Sequence, residues 1–159
     1  MKKNLLIVLI SVCIVASSLY LLRTNKKEDV NIDNVETILL RQFSDYNLRK
    51  LEKEDISNYF GMIMEEDVPY LFLTDFYEDE TNPKPFSPNV LIVFINDSNY
   101  KEYANTLKDY VDCEIQNTID QERLKLYNNK TIYEGSTYFY LVIGEDKNLV
   151  KVIEEVINQ

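Results

Sequence analysis

Apolar residues follow three rhythms along this chain, and each rhythm predicts a different kind of element. From Leu5 to Leu22 they run for 18 residues without one charge. That length lies within the range of a membrane-crossing helix, and a buried core helix seldom goes so far without a polar face. Further on, the spacing falls to one apolar residue every three or four. Val35, Ile38, Leu39, Phe43 and Tyr46 predict a helix over 34–47, opened by an Asp33/Glu36 capping box. Ile56, Tyr59 and Phe60 predict a short helix from Asp55 that Gly61 stops. Tyr103, Leu107, Tyr110, Val111, Ile115, Ile119 and Leu126 predict a long one over 99–126, with a break near Asp112 to Gln116 and a capping box at Asn99/Glu102. Leu149, Val152, Ile153, Val156 and Ile157 predict a last helix over 148–158.

The third rhythm is that of strands. Val68 to Tyr77 is apolar and aromatic with partial alternation, and Glu78 to Pro88 is a loop by its prolines and acidic residues. Val90 to Ile95 is continuously apolar and β-branched, as a central strand covered on both faces would be. Thr131 to Tyr133 and Thr137 to Ile143 flank Glu134-Gly135-Ser136, a strand, tight turn and strand in which glycine supplies a positive φ. The order predicts an α+β domain, a two-layer antiparallel or mixed sheet of about four strands packed by helices, behind an N-terminal transmembrane helix. The chain divides into a basic tail 1–4, an anchor 5–22, a stalk 23–32 and one domain 33–159.

The leader has two other readings. A cleaved signal would exit near Ala16-Ser17-Ser18, but Leu19 to Leu22 continue the apolar run past it. Lipidation at Cys13 would need a small residue before it, and Val12 is bulky. An uncleaved anchor fits better. Basic residues flank it on both sides, Lys2 and Lys3 before and Arg23, Lys26 and Lys27 after, so charge does not fix its orientation.

Composition narrows the chemistry. The first 23 residues hold three of the 17 basic residues and none of the 27 acidic ones, which leaves a formal charge of −13 on the rest. A field of that sign repels nucleic acid. The chain has no histidine, and its cysteines are Cys13 and Cys113, so imidazole triads, imidazole-ligated metals, thiolate clusters and a disulfide within the domain are all excluded. No cofactor is implied.

Three candidate sites remain. Asp75, Glu78, Asp79 and Glu80 gather carboxylates that could hold Ca²⁺, without the spacing of a calcium loop; a solvated acidic loop is the plainer reading. Asp75 with Glu134 would be the pair for a carboxylate-based glycan hydrolase. Tyr138 and Tyr140 share one face of their strand, with Phe139 and Leu141 on the other. If Phe139 and Leu141 face the helices, the two tyrosines are displayed outward as a surface for a protein or glycan partner or lie in a second, half-covered layer; the plainer reading is that tyrosine fills the sheet rim.

From Leu51 onward the chain resembles a family of small exported or membrane-anchored bacterial proteins, the domain of unknown function 4358. The residues that carry the resemblance are Ile56-Ser57-Asn58-Tyr59-Phe60-Gly61, Asn89 to Ile95 leading into the helix from Asn99, Gln121 to Tyr127, and Ile132-Tyr133-Glu134-Gly135 before the strand ending at Ile143. The family's arginine ahead of a tyrosine in the long helix is matched nearest by Arg123 and Tyr127, and its lipoprotein-like leader is not matched. The resemblance implies an outward-facing envelope location in a Gram-positive bacterium, and no activity. Together these readings give a noncatalytic, envelope-facing binding or assembly module in the cell membrane, single-pass with its domain extracellular. Its partners are the membrane, through Leu5 to Leu22, and a protein or glycan. The glycan hydrolase and the calcium-binding structural domain are the alternatives.

Overall fold

The β-branched run Leu91–Ile95 (β3) is the middle strand of an antiparallel sheet, and all five of its residues are buried. The computed structural model describes residues 31–75 and 88–157. Within them the order is α1 (Ile32–Gln42), a 3₁₀ turn (Ser44–Tyr46), β1 (Arg49–Lys50), α2 (Lys53–Phe60), β2 (Tyr70–Thr74), β3, α3 (Lys101–Asn117), α4 (Gln121–Asn128), β4 (Thr131–Glu134), β5 (Phe139–Ile143) and α5 (Asn148–Ile157). The sheet order is β1-β2-β3-β5-β4, every pair antiparallel.

Period-2 alternation divides β2, β3 and β5 between two cores. Phe72, Leu91, Val93, Ile95, Phe139, Leu141 and Ile143 face α2, α3 and α4, where they meet Ile56, Phe60, Leu107, Val111, Leu126 and Tyr127. Leu71, Leu73, Ile92, Phe94, Tyr138, Tyr140 and Val142 face α1 and α5, and meet Val35, Leu39, Leu149 and Ile153. The α+β class holds, but the sheet has five strands and lies between two helical layers. The expected two-layer, roughly four-stranded arrangement is corrected on both points. β1 is two polar residues, too short to show a period. The outward display of Tyr138 and Tyr140 does not hold, since α1 and α5 cover them, in keeping with a central strand covered on both faces.

The transmembrane expectation is also corrected. The architecture is an open sheet packed by helices, and among the described residues no helix is long and apolar enough to cross a membrane. Leu5 to Leu22 lies outside the described residues. The membrane partner, the single-pass cell-membrane location and the envelope-anchored role rested on that stretch and are withdrawn, as is the expectation of an N-terminal transmembrane helix.

Helix ends follow capping chemistry. Asn31, rather than Asp33, caps α1, its Oδ1 accepting from the Asn34 N–H at 3.1 Å. Glu36 instead pairs with Lys50 at 2.6 Å. The long helix breaks at 118–120, just beyond the expected place. Thr118 turns extended, and Asp120 accepts from the N–H groups of Glu122 and Arg123 to start α4. Gly61 ends α2 at φ 65°, where an L side chain is strained by about 1–2 kcal/mol. A Cβ there would meet nothing within 4 Å, so Gly61→Ala tests backbone strain alone. It is expected to lower the unfolding free energy by about 1 kcal/mol in urea titration, and Gly61→Asn by less. Gly135 does not have the expected positive φ. It is required because an added Cβ would lie 2.7 Å from the Tyr133 ring and 3.2 Å from the Tyr138 carbonyl.

Candidate functional site

The structure separates most of the residues singled out above. Tyr138 and Tyr140 are 7% and 3% exposed, so they do not form the open surface expected of them. The Tyr140 hydroxyl donates to Glu154 at 3.0 Å, across to α5. Tyr133 on the edge strand stacks on both, with centroids 5.1 and 5.2 Å away, and is 41% exposed itself. These tyrosines are a packed ladder under a helix.

Asp75 is committed to the backbone. Its Oδ1 accepts from the N–H groups of Asn89 and Val90, at 3.0 and 2.8 Å, and so fastens the end of β2 to the start of β3. Glu78, Asp79 and Glu80 lie outside the described residues, and among the described residues no group of three or more metal-ligating side chains is gathered. The glycan hydrolase pair fails on register. Thr74, Leu91 and Ile143 align at one end of the sheet, whereas Tyr70, Ile95, Phe139 and Glu134 align at the other. Asp75 and Glu134 are thus at opposite ends and three strand spacings apart, about 14 Å before the lengthwise offset. A glycosidase pair needs roughly 5 to 9.5 Å. Glu134 forms an ion pair with Lys108 instead. Cys113 is an exposed free thiol that accepts from the Asn117 side chain at 3.1 Å.

Arg123 and Tyr127 do come together. They lie one turn apart on α4, with the guanidinium carbon 6.0 Å from the centre of the Tyr127 ring, within reach of a cation–π attraction. Tyr127 is fully buried, and its hydroxyl is 3.5 Å from that of Tyr110 on α3. Burial first, then the neighbouring Tyr127, pushes the Tyr110 phenol far above its ordinary value. The arginine is therefore backed by the Tyr127 ring, with Tyr110 behind it. Its Nη2 is buried with no hydrogen-bond partner, and Arg123 makes no ion pair among the described residues. Such a group carries a desolvation cost that the cation–π contact with Tyr127 offsets only in part.

Arg123 lines a cleft of about 460 Å³ with Tyr46, Asn89, Val90, Asp120, Glu122, Leu126 and Glu145. These come from the turn after α1, the start of β3, the first turns of α4 and the β5–α5 turn, which meet at one end of the sheet. Tyr46 faces the acidic residues Asp146, Glu145 and Asp75. Burial, then Asp146, Glu145 and Asp75, raises its phenol above the usual value. A larger cleft of about 650 Å³ adjoins it, lined by Lys125, Asn129, Thr131, Val142 and Lys147 among others. Size favours the larger; none of its lining residues has a buried polar atom lacking a partner, so the chemistry favours the smaller. Sequence reasoning missed Tyr46, Asn89 and Glu145, which no local pattern ties to Arg123. No protein-family model, curated protein or solved structure matched this chain, so the resemblance seen in its sequence rests on the quoted residues alone.

Proposed function

We propose that this domain recognises a small organic anion, a carboxylate, in the cleft lined by Arg123. One observation carries the reading: a guanidinium backed by the Tyr127 ring, with a buried and unpartnered Nη2, at the wall of an open cleft. A partly desolvated cation without an ion pair is under-compensated, and an anion in the cleft offsets its charge through the solvent-facing part of the guanidinium, the buried Nη2 being out of its reach. Arginine's planar fork suits a carboxylate better than a lysine point charge would. Chemistry on the ligand has no support, since no base–nucleophile pair lines the cleft.

The test is an amide-resolved NMR titration with sodium acetate against sodium chloride at matched ionic strength. Acetate is expected to shift the resonances of Asn89, Glu122, Arg123 and Glu145 saturably, and Arg123→Met to abolish the shifts. Stability supplies a second readout. The substitution removes an unsatisfied buried donor, a gain of about 1–3 kcal/mol, and loses a cation–π contact of about 0.5–1 kcal/mol. Arg123→Met is therefore expected to leave the unfolding free energy unchanged or to raise it by up to about 2.5 kcal/mol. A loss well beyond 1 kcal/mol would make Arg123 a structural residue, and shifts that survive the substitution would place the anion elsewhere.

A further inference from the structure

The walls of the Arg123 cleft are acidic, and that constrains the ligand further. Asp120, Glu122 and Glu145 line it together with one basic residue, Arg123, a formal balance of three carboxylates to one guanidinium. None of the three closes on Arg123 as an ion pair. Asp120 uses its Oδ1 to accept from the Glu122 and Arg123 N–H groups, at 2.8 and 3.2 Å. Glu122 and Glu145 are exposed, come from different elements, and make no ion pair among the described residues. Val90 and Leu126 are buried apolar residues of the same lining.

A simple anion pairing with Arg123 would sit among uncompensated carboxylates, and a dianion such as phosphate would be repelled more strongly. A ligand that carries an ammonium beside its carboxylate satisfies both signs at once. Resting on the carboxylate reading above, we infer that the cleft takes a zwitterionic amino carboxylate, a free amino acid or a molecule of dipeptide size. Its carboxylate meets Arg123, its ammonium meets Glu122 and Glu145, and a short aliphatic side chain lies against Val90 and Leu126. The cleft volume of about 460 Å³ falls toward the small end of the range for ligand sites, which matches a molecule of this size.

Calorimetric titration of the full chain with L-leucine, N-acetyl-L-leucine and L-leucinamide tests this. The three probes share a side chain and differ in which charged group remains. Free leucine is expected to bind about tenfold tighter than either derivative, as the loss of one charge-assisted contact predicts. Glu122→Gln and Glu145→Gln, both at exposed side chains outside the core, are expected to remove its advantage over N-acetyl-leucine. Equal binding of leucine and N-acetyl-leucine would overturn the zwitterion inference and leave the carboxylate reading standing. Leucinamide binding as well as leucine, or no binding by any probe together with no acetate response, would overturn both.

Discussion

Replacing Phe94 with alanine is expected to lower the unfolding free energy by about 3–5 kcal/mol. Phe94 points to the α1/α5 side of the central strand, is 1% exposed, and packs on the Tyr138 ring with centroids 5.6 Å apart. Its neighbour across the β3–β5 pair is Tyr140. With a helical layer on the opposite face alone, that side of the sheet would be open to water, and truncating the ring would cost about 1 kcal/mol or less. Phe72→Ala is the control, since Phe72 is fully buried in the other core and is expected to lose the same 3–5 kcal/mol. Urea unfolding of both variants gives the comparison. A full loss for Phe72 with a loss under about 1 kcal/mol for Phe94 would show that the second core does not contribute. Domains hold about 5–15 kcal/mol in all, so the double variant is expected not to fold.

What could be read in advance depended on how local the deciding interaction is. The β-branched run at Leu91–Ile95, the glycine stop at Gly61 and the apolar stripe of α5 are settled by neighbours within a few residues, and all are where their patterns place them. Capping was legible in kind and not always in position. Asn31 reaches the Asn34 N–H before Asp33 can act as a cap. At 118–120 Asp120 wins the competition to begin a new helix, leaving Ile119 92% exposed off the apolar stripe on which its spacing had placed it. The face of Tyr138 and Tyr140 could not be read locally, because it depends on α1, a hundred residues earlier, and α5 both docking on the same side. The cleft depends on four segments meeting at one end of the sheet. Arg123 was singled out only by the family resemblance, as the nearest match to an arginine ahead of a tyrosine. Its missing partner was not legible, since an absent hydrogen bond exists only in the fold.

Raising the pH through the phenol range is expected to unfold this protein as its tyrosines ionise. The chain has 12 tyrosines, and the fold keeps several of them neutral. Burial, then the hydrogen bond to Glu154, raises Tyr140 to about 12. Tyr110 is pushed higher still, by burial and then by Tyr127, and Tyr46, Tyr70, Tyr100 and Tyr103 are raised first by burial as well. At neutral pH both states hold every phenolic proton, so these groups give stability no slope. Above about pH 10 the unfolded chain releases protons that Tyr110 and Tyr140 retain, and stability falls by up to about 1.4 kcal/mol per pH unit for each. The figure is smaller for Tyr140, whose hydroxyl reaches an exposed glutamate and is partly screened. Stability associated with Tyr140 is therefore complete below about pH 10 and lost as the pH rises through about 12. Phenolate absorbance and far-ultraviolet circular dichroism, followed together, are expected to show the last phenols ionising in the same step that loses the helices. Tyr140→Phe is expected to make the decline of stability with pH shallower over that window. If every phenol ionised near pH 10 with the dichroism intact, the tyrosine ladder and the Tyr110–Tyr127 pair would have to be open to water, and the burial that holds Arg123 from below would be gone with them.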